Sequence, residues 1–92
     1  MNYRVELTPA AERDLKSLSD RIRGQVIAAL RALVDDPRPP GVVALRGYPT
    51  GNYRVRVGSF RVGYEVIDDS QTVKVWQIAD RKHFYEKARR RR

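Results

Sequence analysis

The chain has no cysteine, one histidine, one tryptophan and one methionine. Without cysteine it forms no disulfide and no thiolate metal site, and it fits a reducing cytoplasm. One histidine among scattered acids offers no tight ligand set, so no metal and no other cofactor is expected. Long apolar runs are missing as well. The N-terminal stretch Met1-Asn2-Tyr3-Arg4-Val5-Glu6-Leu7 does not read as a signal peptide, and no segment reads as a membrane span. Ser17, Ser19, Ser59 and Ser70 have no evident base beside them, which argues against a serine hydrolase. Gly58 and Gly63 form no phosphate-loop motif.

Acidic residues are also scarce. Nineteen Lys and Arg stand against 11 Asp and Glu, a net charge of +8. Such an excess favours a polyanion or an acidic protein as partner. Its distribution is uneven. Residues 6–36 are nearly balanced, whereas residues 81–92 hold seven basic residues and one acid, Glu86. The 92 residues suit a single domain, 1–92, with a modest apolar core.

Residues 3–7 read as a short strand. Thr8-Pro9 is a helix start, with threonine as cap and proline at the first helical position. Apolar positions recur at Ala11, Leu15, Leu18, Ile22, Val26, Leu30 and Leu33, a helical stripe that Ser17, Ser19 and Asp20 interrupt. Two helices follow, about 9–17 and 20–35, packed as a pair on one sheet face. Glu12 and Asp14 sit near the positive end of the first. Asp35-Asp36-Pro37 ends the second. A linker with Leu45 and Gly47 leads to strands at about 52–57, 60–67 and 72–79, the last two joined by a turn from Asp68 to Gln71. In the last strand Val73 and Val75 alternate against Trp76 and Ile78, which a bulge or burial on both faces would explain. Residues 82–89 form a short terminal helix, with Arg90, Arg91 and Arg92 as a frayed tail.

The segment from Asn52 to Tyr64 carries the chemistry. A two-residue turn at Gly58-Ser59 sets Val57 opposite Phe60, Arg56 opposite Arg61 and Val55 opposite Val62. One face of the hairpin is apolar and the other bears Arg54, Arg56 and Arg61. Like charges directly across a ladder are unfavourable. An arginine cluster of this kind suits an anion, and a phosphate chain is the obvious one. Arg81, just past the last strand, can reach the same surface; its neighbour Asp80 is a candidate partner for it, as Glu65 is for Arg61. Tyr85 and His83 are the candidates for proton transfer, and Lys82 and His83 join Arg54 and Arg56 as candidates for binding a phosphate chain, RNA among the possibilities. Histidine titrates near neutrality, while arginines beside a tyrosine favour its ionised form. The residue types alone do not choose between the two.

With these residues in view, the chain resembles the RelE/ParE toxin superfamily of type II toxin–antitoxin modules. The likeness rests on the run from Tyr53 to Glu65, on Val73 to Arg81, on Tyr85, and on the layout of Tyr3 to Leu18 and of the helix ending before Pro37. It covers nearly the whole chain. It implies a compact α/β (α+β) domain: a strand, two helices, three antiparallel strands and a short terminal helix. The RelE-like branch, favoured here, implies a ribosome-dependent messenger-RNA endonuclease that inhibits translation without a metal. In that chemistry the 2′-hydroxyl attacks the adjacent phosphate, leaving a 2′,3′-cyclic phosphate and a 5′-hydroxyl. Carried over by position, Arg61 and Arg81 match phosphate-contacting arginines, and Tyr85 matches the tyrosine treated as general base or stacking group. Arg54 and Arg56 match basic positions that are lysines in some members. The ParE-like branch implies instead a DNA gyrase inhibitor, and a noncatalytic ribosome- or RNA-binding module is the third reading. The resemblance further implies a cognate antitoxin, with DNA binding only through that partner.

Overall fold

The computed structural model describes residues 2–91, the side chain of Arg91 excepted. Its elements are β1 (Arg4–Leu7), α1 (Pro9–Lys16), α2 (Asp20–Asp35), β2 (Val43–Ala44), β3 (Asn52–Val57), β4 (Phe60–Ile67), β5 (Thr72–Asp80) and α3 (Phe84–Arg91). The strands form one sheet in the order β1-β5-β4-β3-β2. β1 runs parallel to β5, and the remaining pairs are antiparallel. This is the mixed α+β architecture that the sequence implies.

Local chemistry explains the helical half. The Thr8 hydroxyl oxygen accepts from the Ala11 N–H at 3.1 Å, and Pro9 takes the first helical position. Ser19 caps α2 in the same way, accepting from Ile22 N at 3.4 Å. Between the helices Arg23 does what the sequence does not announce. Its guanidinium donates to the carbonyls of Leu15 (3.1 Å), Lys16 (3.0 Å) and Leu18, and to Asp20 Oδ1 at 2.7 Å. A cation therefore sits on the orphan carbonyls at the end of α1. Arg23→Met keeps the stem and removes every one of these bonds. It is expected to destabilise the fold by roughly 1–3 kcal/mol, read as a lower midpoint in urea unfolding.

The predicted stripe becomes the core. Ala11, Leu18, Val26, Leu30 and Leu33 pack against Val62, Tyr64, Val66, Val73, Val75 and Ile78. Both helices thus cover one sheet face. Tyr64 is fully buried; its hydroxyl donates to the Pro37 carbonyl at 2.8 Å, and burial holds its pKa well above the ordinary tyrosine value. A surface latch fixes the proline-rich linker above it. Arg38 forks onto Asp68 (2.9 and 3.3 Å) and donates to the Tyr53 hydroxyl (3.0 Å), while the Tyr3 hydroxyl donates to Asp68 at 2.7 Å. The hydrogen bonds from Arg38 and then Tyr3 hold the Asp68 carboxyl below its ordinary value. A carboxyl depressed by folding stabilises above its unfolded pKa and loses that contribution as pH falls through the folded one. Linker amides around Arg38 should therefore lose protection, relative to their intrinsic exchange rates, below about pH 4, and Asp68→Asn should flatten that dependence.

The hairpin register matches expectation: Arg56 opposes Arg61 and Val55 opposes Val62. Gly58 has φ +59, the left-handed sign that a II′ turn needs at its first central position. β5 shows both devices expected of it. The β4–β5 register shifts at Gly63/Tyr64, where Gly63 opposes Gln77 and Tyr64 opposes Val75, so that Trp76 is the extra residue. The second face is also covered, because Leu45, Ala79 and Phe84 form a separate buried cluster with Tyr48 and Trp76.

Three expectations need correction. β2, with Val43 and Ala44 paired to Arg54 and Tyr53, lies within the expected linker. α3 begins at Phe84, so Lys82 and His83 stand in the turn before it. Arg90 and the backbone of Arg91 belong to the helix rather than to a frayed tail, and Glu86 supports the helix by pairing with Arg90 at 2.7 Å. Arg92 lies outside the described residues.

Candidate phosphate-binding face

Strand alternation places Arg54 and Arg56 of β3 and Arg61 of β4 on the sheet face away from α1 and α2. Arg56 and Arg61 are direct cross-strand neighbours. Two backbone features bring the C-terminal candidates to them. The Arg81 N–H donates to the Ser59 carbonyl at 2.9 Å, which ties the end of β5 to the hairpin turn. Phe84, fully buried on the same face, anchors the first turn of α3.

The electrostatics of Arg61 report the result. Burial pushes its pKa below the ordinary arginine value, and the charges of Arg54, Arg56 and Arg81 push it further; Tyr85 acts in the opposite direction. Four arginines and one tyrosine therefore share one electrostatic neighbourhood. Among the described residues no carboxylate pairs with Arg54, Arg56, Arg61 or Arg81. Among the described residues the Arg61 guanidinium donates only to the neighbouring Phe60 carbonyl, at 3.3 Å, and that of Arg56 only to the Gly58 carbonyl, at 3.4 Å. The Arg54 Nε is buried without a partner among the described residues. A cluster of like charges with forked donors left open has the chemistry to hold a multiply charged anion.

Glu65 does not reach for Arg61; it stands in the row of Asn52 and Lys74, whereas Arg61 stands with Arg56 and Ala79. Asp80 does not take Arg81 either. Its carboxylate contacts the His83 ring Nδ1 at 2.8 and 3.1 Å and accepts from the His83 backbone N–H at 2.9 Å. Burial raises the Asp80 carboxyl, but the side-chain and backbone bonds from His83 outweigh it and leave the group below its ordinary value. His83 is thereby engaged at the helix start, and Lys82 is exposed. Tyr85 is 45% exposed, and its ring stands edge-on to Phe84 at 5.2 Å. Of the two proton-transfer candidates, His83 is held by Asp80, whereas Tyr85 acts electrostatically on Arg61.

Several residues that build the face carry weak sequence signals. Gly63 faces the rings of Phe84 and Trp76: a Cβ there would stand 2.8 Å from Phe84 Cζ and 2.9 Å from Trp76 Cζ2. A lone glycine inside a strand pattern is a sign of such close approach. Gln77 is fully buried and donates to the Phe84 carbonyl at 2.7 Å. Asp14, expected only to serve the α1 dipole, is buried; it accepts from Ile78 N at 3.0 Å and lies 3.5 Å from Lys87 Nζ of α3. No cluster of three potential metal ligands occurs among the described residues. No described helix is long and apolar enough to cross a membrane.

A family model described as ParE toxin of type II toxin-antitoxin system, parDE, matches residues 5–85. Toxin RelG of Mycobacterium tuberculosis is 33% identical over 89 residues, spanning 95% of this chain and all of that protein. The archaeal RelE–RelB complex from Pyrococcus horikoshii contains a chain similar to this one with a TM-score of 0.78 and 27% identity, over 88% of this chain and 97% of that one. The isolated E. coli RelE toxin gives a TM-score of 0.75 and 26% identity, over 97% of each chain.

Proposed function

Because the chain belongs to the RelE/ParE family of type II toxin–antitoxin toxins, we propose that it is a ribosome-dependent endoribonuclease that arrests translation. The observation that carries this reading is the gathering of Arg54, Arg56, Arg81 and Tyr85 about Arg61, with no carboxylate among them. Unpaired guanidinium groups would suit an acidic protein as well, but a phosphodiester also makes use of the accessible phenol beside them: charge grows on its non-bridging oxygens as the 2′-oxygen attacks, and fixed cations stabilise it most where water is displaced.

In the reaction the 2′-hydroxyl oxygen bonds to phosphorus and the bond from phosphorus to the 5′-oxygen breaks. Arg61 and Arg81 bind the reacting phosphate from two elements, β4 and the end of β5. Tyr85, acting as the phenolate, takes the proton from the 2′-hydroxyl; if it stacks on the adjoining base instead, water takes that proton. Arg54 and Arg56 hold a neighbouring phosphate and set the strand's register. The leaving 5′-oxygen collects a proton, yielding a 5′-hydroxyl and a 2′,3′-cyclic phosphate. The ribosome supplies the remaining orientation of the message, holding the attacking 2′-oxygen in line with the leaving 5′-oxygen.

The solved relatives that hold RelB support a cognate antitoxin for this chain too. A partner with acidic segments suits the basic surface, and any operator binding would come from that partner.

A second reading has its own support, since the matching family model is described by the ParE toxin. A ParE-like protein would poison DNA gyrase and cleave no RNA. Purified protein should be added in parallel to translating ribosomes and to gyrase with supercoiled plasmid. The ribonuclease reading expects shortened message and normal supercoiling. Intact message with trapped gyrase–DNA cleavage complexes would replace it with the second.

A further inference from the structure

Tyr85 hangs from the peptide group that joins it to Phe84. That group is planar, so whatever holds the Phe84 carbonyl also orients the Tyr85 nitrogen and Cα. The Phe84 carbonyl is held from beneath α3 by Gln77, whose Nε2 donates to it at 2.7 Å. Gln77 lies in the cross-strand row of Arg54 and Gly63, on the arginine face itself. Gly63 has no side chain to lift the helix, and the Phe84 ring rests in the space a Cβ would fill. Trp76 closes one side, 5.9 Å from Phe84 between ring centres, and donates its indole N–H to Asn52 Oδ1 at 2.9 Å.

The choice of glutamine is informative. Gln77 is fully buried, and its Oε1 has no protein partner. A buried amide acceptor left open is costly. Methionine would fill the same volume without that cost. The amide therefore contributes direction rather than volume, and the direction is that of the Phe84–Tyr85 peptide.

We propose that Gln77 is a positioning residue for the cleavage reaction: its carboxamide sets the peptide that aims Tyr85 at the phosphate held by Arg61. The inference rests on the ribonuclease reading. The test pairs cleavage kinetics of Gln77→Met on translating ribosomes with ring-labelled tyrosine NMR, the Tyr85 signal being assigned from Tyr85→Phe. The expected result is a fall in the saturated cleavage rate of about tenfold or more, unchanged half-saturation by ribosomes, and a shifted Tyr85 ring signal with Tyr53 and Tyr64 unmoved. A wild-type rate and an unmoved Tyr85 signal would overturn the proposal. So would an equal loss in half-saturation and rate with the ring signal unchanged, because that marks weakened docking instead.

If Gln77→Met does not fold, the wild-type protein still decides. A Gln77 side-chain amide proton should exchange about 100-fold slower than that of an exposed glutamine, and exchange at the exposed rate would overturn the hydrogen bond. If wild-type protein cuts no message, the ribonuclease reading fails. The Tyr85 signal in Gln77→Met then decides separately whether Gln77 orients that side chain.

Discussion

Arg61→Ala is expected to lower ribosome-dependent cleavage by about 100-fold or more while leaving the melting temperature unchanged or higher. The two halves of this result come from one fact. Burial and the charges of Arg54, Arg56 and Arg81 all disfavour the charged form of Arg61 in the folded protein. The folded chain therefore holds these guanidinium groups against their mutual repulsion, and removing one relieves it. The bound phosphate loses a forked donor at the point where charge develops, and losses of two to three orders of magnitude are typical of such a donor. Arg61→Lys should recover only part of the rate, because an ammonium is a point charge without the planar fork. Single-turnover cleavage and thermal unfolding at low salt check both halves. A variant that loses activity and stability together would mark Arg61 as structural.

Gly63→Ala is expected to cost roughly 1–3 kcal/mol of stability, within the usual range for overpacking, and to reduce cleavage about tenfold or more. Gly63 is not in the left-handed region, so conformational freedom is not the reason for glycine. Space is the reason. A methyl at Gly63 would meet Phe84 Cζ at 2.8 Å and Trp76 Cζ2 at 2.9 Å, and Phe84 is fully buried. Phe84 yields by moving outward, and α3 moves with it. Tyr85, the next residue, then leaves the neighbourhood of Arg61. The loss should fall on the catalytic rate, with urea unfolding giving the stability change. Activity and stability equal to wild type would show that the aromatic cluster repacks without moving the helix.

The hairpin was legible because a period of two and a two-residue turn leave only one register that keeps Val55, Val57, Phe60 and Val62 on the core side. The helix pair is legible from Thr8, Pro9 and an apolar stripe that Ser17, Ser19 and Asp20 interrupt. β2 was not, because two residues carry no periodicity. The end of α3 was misread for a related reason. A run of arginines carries no apolar pattern, yet buried Phe84 and Ala88, one turn apart, and the Glu86–Arg90 pair sustain the helix. Sequence adjacency points Asp80 toward Arg81, but the turn before α3 places His83 within reach of the carboxylate in both ring and backbone. Asp14 and Gln77 were out of reach for a different reason. The partner of Asp14 lies 64 residues away, and that of Gln77 lies on an element folded back over its strand. The functional candidates were readable because charge of one sign gathered on one face. The residues packed beneath them, Gly63 and Gln77, are neutral and carry no such signal.

The most direct test maps 5′ ends on a message translated in the presence of purified protein, with naked RNA alongside. The proposed function expects cuts within the codon held in the ribosomal A site, new 5′-hydroxyl ends, and uncut naked RNA. Intact message across the protein doses that halt the translation reaction, or at every dose if none halts it, would contradict it.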